Sequence, residues 1–131
     1  MTYGLDTSVI IRLVTQEPPE LSIKVNDFIV SHMEAGDKFF ISSLTVSEAY
    51  FALQRHYSMS KEAAIKILRA LVDDGFVFSD EAASALDTPD AWKASPGLVD
   101  RMIAAGYAAR GHNTISCEKD FRKLDFTTVI S

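Results

Sequence analysis

Cysteine is nearly missing from this chain: Cys117 is the one thiol in 131 residues. An internal disulfide framework is excluded, and so is a zinc site built on cysteines. The scarcity fits a reducing, cytoplasmic setting. Long apolar runs are missing too. No stretch approaches the ~18–20 residues of a membrane-spanning helix. The first residues, Met-Thr-Tyr-Gly-Leu-Asp, hold no basic region and no apolar core, so they do not read as a signal peptide. A basic excess is absent as well. Thirteen Lys and Arg stand against 18 Asp and Glu, a net charge of −5. That sign argues against broad, non-specific nucleic-acid binding. It still suits an enzyme whose acids cluster to hold cations, or a protein with a basic partner. Linkers, internal repeats and low-complexity segments are not found.

What remains is an ordinary soluble composition, 47% apolar and 24% charged. The length gives one domain, 1–131, with room for a core. Thr2–Leu5 reads as a strand ending at Asp6. Asp6-Thr7-Ser8 offers caps for a helix through Val9, Ile10, Leu13 and Val14, which Pro18-Pro19 stops. A second helix, from about Glu20 to Ala35, places Leu21, Val25, Phe28, Ile29 and Met33 on one face. Lys38–Ile41 is a strand. Ser42-Ser43 opens a helix with a stripe of Val46, Ala49, Tyr50, Leu53 and Tyr57. Ser60 caps the next, with Ala64, Ile67, Leu68, Leu71 and Val72 inward and Gly75 as its stop. Phe76–Phe78 is a brief strand and Asp80–Leu86 a short helix. Near the end, Ser95 reads as an N-cap, Pro96 as the first helical residue and Gly111 as the left-handed stop. Strand Thr114–Ser116, loop Glu118–Leu124 and strand Thr127–Ile130 follow. Strands alternating with helices indicate an α/β domain with a mainly parallel sheet. In such sheets, ligands sit beyond the carboxyl ends of the strands.

The acids are the candidates for chemistry. Asp100 shares a helix face with Ile103, Ala104 and Tyr107, so an aspartate heads a stripe expected to turn inward. Such a carboxylate is costly without a cation, a metal or hydrogen bonds. Asp6 ends the first strand, Glu48 lies in the third helix, and Glu118 and Asp120 follow the fourth strand. Carboxylates brought together repel unless hard cations are present, and Mg²⁺ and Mn²⁺ prefer oxygen ligands. Two such ions about 3.5–4 Å apart can activate water and steady a leaving oxygen. Each acid also has a plainer reading. Asp6 serves equally as a helix cap. Thr45-Val-Ser-Glu48 is a capping-box pattern. Asp100 has Arg12 or Arg101 as alternative partners, and Glu118 and Asp120 are also ordinary loop acids. Ser8 and Ser116 suit a metal-bound water or a cap, while Arg12 and Arg101 suit RNA phosphate or a carboxylate. His32, His56 and His112 show no metal-ligand spacing. Cys117 has no nearby histidine to activate it, and it reads with Trp92 as packing.

Four segments resemble the successive motifs of PIN domains. They are Leu5-Asp6-Thr7-Ser8-Val9-Ile10, Val46-Ser47-Glu48-Ala49-Tyr50, Leu98-Val99-Asp100-Arg101-Met102 and Ser116-Cys117-Glu118-Lys119-Asp120-Phe121. The likeness covers nearly the whole chain and is closest to the VapC-type ribonuclease toxins of toxin–antitoxin pairs. The last motif departs from the usual Thr-x-Asp-x-Asp-Phe, with Ser116 for the threonine and Glu118 for the first aspartate. The resemblance implies a three-layer PIN-like fold, with a central parallel five-stranded sheet in order 3-2-1-4-5 flanked by helices. It implies Mg²⁺-dependent cleavage of structured RNA (tRNA or rRNA), with Mn²⁺ as a substitute, a homodimer and a small antitoxin partner. Asp6, Glu48, Asp100 and Glu118 take the catalytic and metal-holding places, with Asp120 as the alternative fourth acid and Ser8 and Ser116 in support. The contrasting reading is an inactive module of the same fold that binds RNA or protein. A phosphotransfer receiver would need an adjacent acid pair at the chain start, which is missing, and DNA nucleases of related fold are usually longer.

Overall fold

The strands are short, each of two to four residues. The computed structural model describes residues 1–130; Ser131, the last residue of the expected domain, lies outside them. The described residues divide into two compact units, Met1–Ser79 and 80–130.

The first unit runs β1 (Thr2–Gly4), α1 (Thr7–Thr15), α2 (Pro19–Glu34), β2 (Lys38–Ile41), α3 (Ser43–His56), α4 (Lys61–Asp73) and β3 (Val77–Phe78). Its strands are parallel, with β2 between β1 and β3; Tyr3 pairs with Phe39 and Ile41 with Phe78. Alternation sets the faces of β2: Phe39 and Ile41 are buried, Lys38 and Phe40 exposed. The helix starts follow local chemistry. Asp6 caps α1, Pro19 supplies a fixed φ in the first turn of α2, and the Ser42 and Ser60 hydroxyls accept from Thr45 N and Ala63 N. α3 packs on α1 and α4, burying Val46, Ala49, Tyr50 and Leu53. Each such Val or Leu stabilises the unit by about 1.5–3 kcal/mol. Two expected stripes are corrected. In α4 the buried residues are Ala64, Ile65, Leu68 and Leu71, and Val72 is exposed. In α2 only Ile29 of the expected apolar face is buried, beside Ser22, while Leu21 and Phe28 are exposed. Ser22 goes inward because its hydroxyl donates to Arg12 O at 3.2 Å.

The second unit holds α5 (Asp80–Leu86), α6 (Leu98–Ala109), β4 (Thr114–Ser116), a 3-10 turn (Lys119–Lys123) and β5 (Thr127–Val129). α5 packs on α6, and β4 pairs in parallel with β5 from Thr114↔Thr127 to Ser116↔Val129. Gly111, at φ +77°, ends α6 as expected, with Gly111 N donating to Ala108 O and His112 N to Tyr107 O. The other end differs. Gly97, not Ser95, is the N-cap, and Pro96 lies outside the helix. The Ser95 hydroxyl is engaged elsewhere, donating to Asp120 Oδ2 at 2.7 Å. The stripe headed by Asp100 is also corrected. The buried residues of α6 are Leu98, Met102 and Ala104, so of the expected stripe Ala104 turns inward while Ile103 and Tyr107 are 45% and 48% exposed. At 100° per residue, Asp100 and Tyr107 lie nearly opposite Leu98 and Met102, and Ile103 lies to one side. The expected five-stranded order 3-2-1-4-5 is not seen as one sheet. The first unit holds the parallel ladder β1-β2-β3 and the second the parallel ladder β4-β5.

Candidate active site

In the first unit, Asp6 lies directly after β1 in extended backbone (φ −90°, ψ 172°) and caps α1. All of its bonds go to one oxygen. Oδ1 accepts from Ser8 Oγ at 2.6 Å, Ser8 N at 2.8 Å and Val9 N at 3.4 Å. The Ser8 hydroxyl, then the Ser8 amide, hold this carboxyl below the usual aspartate range. Oδ2 has no bond among the described residues, so the cap leaves half the carboxylate open. The Ser8 hydroxyl is thus engaged by Asp6 itself. Glu48 is exposed on α3. The capping-box reading fails for it. The N-cap is Ser42, whose Oγ lies 3.2 Å from Thr45 N and 3.0 Å from Thr45 Oγ1, and Glu48 is six residues on. Among the described residues the Glu48 carboxylate meets no hydrogen-bond partner. Arg12 is half-buried with its Nε unpartnered among the described residues.

In the second unit, Asp100 is the third residue of α6 and half-buried. The helix N-terminus favours a negative charge there. Burial, and then the like charge of Asp120, nonetheless push its carboxyl above the usual range. Asp120, in the first turn of the 3-10 segment, is the acid brought toward Asp100. One of its oxygens receives the Ser95 hydroxyl, while Oδ1 is buried with no partner among the described residues. Glu118 is exposed, and its amide donates to Ser116 Oγ at 2.9 Å. Ser116 therefore fixes the backbone at Glu118. Arg101 donates from Nε to Pro96 O at 2.8 Å, which ties it to the segment just before its own helix. Ser95 is the residue that sequence reasoning missed. Nothing local marks a serine as the partner of an aspartate 25 positions away.

The family model described as PIN domain matches residues 3–127. The chain belongs to the PIN domain family. No curated protein and no solved structure matches it. PIN domains are generally nucleases and typically use divalent metals. The match runs through both units of this PIN domain and covers Asp6, Glu48, Asp100, Glu118 and Asp120.

Donor chemistry in the second unit fits a hard cation. Mg²⁺ is commonly held by one or two carboxylates, with waters and substrate phosphates completing its shell. Asp100 and Asp120 are two such carboxylates, and a cation would relieve both their mutual repulsion and the orphaned Asp120 Oδ1. Within neither unit, among the described residues, do three or more His, Cys, Asp or Glu gather into a metal-holding group. His32 stacks on Phe28 at 3.9 Å with Nδ1 2.8 Å from Phe28 O. Cys117 is exposed rather than packed, and no helix among the described residues is long and apolar enough to cross a membrane.

Proposed function

We propose that this PIN domain is a Mg²⁺-dependent endoribonuclease of the VapC type, the toxin of a toxin–antitoxin pair. The carrying observation is the half-buried Asp100, whose carboxyl is pushed up by burial and then by the like charge of Asp120, in a family of nucleases. Asp100 and Asp120 would hold the cation through oxygen; in the first unit, Asp6 keeps Oδ2 open while its Oδ1 stays on the α1 cap. A bound Mg²⁺ would supply a Lewis acid that polarises the phosphodiester and makes water a better nucleophile. Glu48, free of backbone duty, positions the attacking water and takes its proton. The water adds to phosphorus in line, the ribose oxygen leaves, and no covalent enzyme intermediate forms. Between the two acids of the last motif, the pairing favours Asp120 as the fourth acid, with exposed Glu118 reaching the substrate side. Mn²⁺ substitutes for Mg²⁺. The substrate is a structured RNA, a tRNA or ribosomal RNA loop, and the partners are a second copy and a small antitoxin.

The test is incubation of the purified protein with tRNA and with ribosomal RNA fragments, with Mg²⁺ and with EDTA. Cleavage at defined positions that EDTA abolishes is expected. RNA binding with no cleavage in Mg²⁺ or Mn²⁺ would contradict the reading and mark the chain as an inactive RNA-binding module.

A further inference from the structure

One exposed strip of α3 continues beyond Glu48 through residues that have no role in the account so far. Leu44, Glu48, Phe51 and Arg55 follow at spacings of four, three and four, so they share one helix face. Val46, Ala49, Tyr50 and Leu53 occupy the opposite, buried side. Leu44 is 71% exposed and Phe51 41%. A single exposed phenylalanine needs no explanation. Phe51 is different because its ring is fixed on two sides. The buried Tyr50 ring lies 5.5 Å away at a 53° tilt, and the Arg55 guanidinium sits over Phe51, 5.4 Å from its centroid. Among the described residues Arg55 meets no carboxylate, so its charge is not cancelled by an ion pair. At 1.5 Å per residue, Phe51 lies about 4.5 Å and Arg55 about 10.5 Å along the helix axis from Glu48. An acid, an aromatic face and a free cation therefore stand in series along one rod.

Single-stranded RNA is gripped by that combination: bases stack on aromatic rings or guanidinium planes, and cations neutralise phosphates. In a chain of net charge −5, a cation placed over an aromatic ring one to two turns from an acid is a local exception to the prevailing sign. We propose that Phe51 and Arg55 form a subsite for an unpaired nucleotide flanking the scissile phosphate. Its base stacks on Phe51 and its phosphate pairs with Arg55. The inference rests on the nuclease reading above and adds where the substrate strand runs.

The experiment uses the full chain and a short single-stranded oligoribonucleotide in EDTA, which separates binding from cleavage. In Phe51→Trp, the added indole fluorescence, read against the wild-type Trp92 background, is expected to be quenched by the oligonucleotide. Phe51→Ala is expected to weaken binding about five- to hundred-fold, the range that stacking of one base spans. Phe51→Leu keeps the apolar volume and should lose nearly as much. Arg55→Lys keeps the charge but not the planar fork, and should lose part. With Mg²⁺, these variants should raise KM and leave kcat near wild type. If wild type cleaves RNA while Phe51→Ala binds and cleaves with unchanged affinity and KM, the subsite is refuted and the nuclease reading stands. Quenching of Phe51→Trp without any cleavage by wild type would support the subsite and defeat the nuclease reading. A change of mass in light scattering for Phe51→Ala, with RNA affinity unchanged, would make this face a protein interface and overturn the proposal.

Discussion

Asp6 caps α1 and is proposed to serve the chemistry as well, and substitution separates the two roles. Oδ1 takes the three bonds that start α1, and Oδ2 is open. Asn caps a helix as well as Asp, because a neutral amide oxygen still accepts from the backbone. Asp6→Asn should therefore keep the cap bonds and lose only the charge, which near a helix N-terminus contributes about 0.3–1 kcal/mol. Asp6→Ala removes the cap altogether. An N-cap loss costs about 0.5–2 kcal/mol. Asp6 is exposed and the Val9 bond is long at 3.4 Å, so the middle of that range, about 1 kcal/mol, is expected. For a chain of this length that is a fall in Tm of about 3–5 °C. Thermal unfolding in EDTA should rank wild type above Asp6→Asn by a small step and Asp6→Ala lowest. RNA cleavage in Mg²⁺ should rank differently, with both variants lost together, since Asn cannot supply the charge. Wild-type cleavage by Asp6→Asn would refute the chemical role, and a wild-type Tm for Asp6→Ala would refute the cap.

Asp100→Asn should hold or raise Tm in EDTA at neutral pH. The folded carboxyl is raised, so the fold binds more protons than the unfolded chain and its stability falls as pH climbs through the shifted range. The advantage of Asn should then be full above that range and vanish once Asp100 is protonated in both states; a neutral-pH loss of Tm would show that the charge is stabilised instead. In the last motif, Asp120→Asn should abolish cleavage while Glu118→Gln reduces it, and the reverse order would give the fourth place to Glu118. Light scattering at micromolar concentration should give twice 14.5 kDa, and a monomer mass would count against the homodimer.

Punctuation was the most legible layer of this sequence. Asp6, Ser42, Ser60 and Gly111 mark helix ends through bonds to amides or carbonyls within a few residues, and all four do so in the fold. The start of α6 was not legible, because the Ser95 hydroxyl goes to an acid 25 residues away and Gly97 takes the boundary. Periodicity told which residues share a face, but not which face turns inward. Ile65 displaced Val72 in α4, and Leu98 with Met102 displaced the Asp100 stripe. The parallel neighbours within each ladder follow from alternating strands and helices, whereas a five-strand order came only with the family likeness. The acids themselves were named from sequence. Which of Glu118 and Asp120 approaches Asp100 depends on the 3-10 turn at Lys119–Lys123, a segment read as plain loop.

The central claim is that carboxylates of this PIN domain hold a divalent cation. Calorimetric titration of Mn²⁺ into wild type and into Asp100→Asn, both shown to be folded by circular dichroism, tests it most directly. Removing one of two paired carboxylates takes away an oxygen ligand and half the charge that draws the ion. The account predicts saturable Mn²⁺ binding by wild type and binding weakened at least tenfold, or lost, in Asp100→Asn. Equal Mn²⁺ affinity in the two proteins, or no Mn²⁺ uptake by wild type, would contradict it.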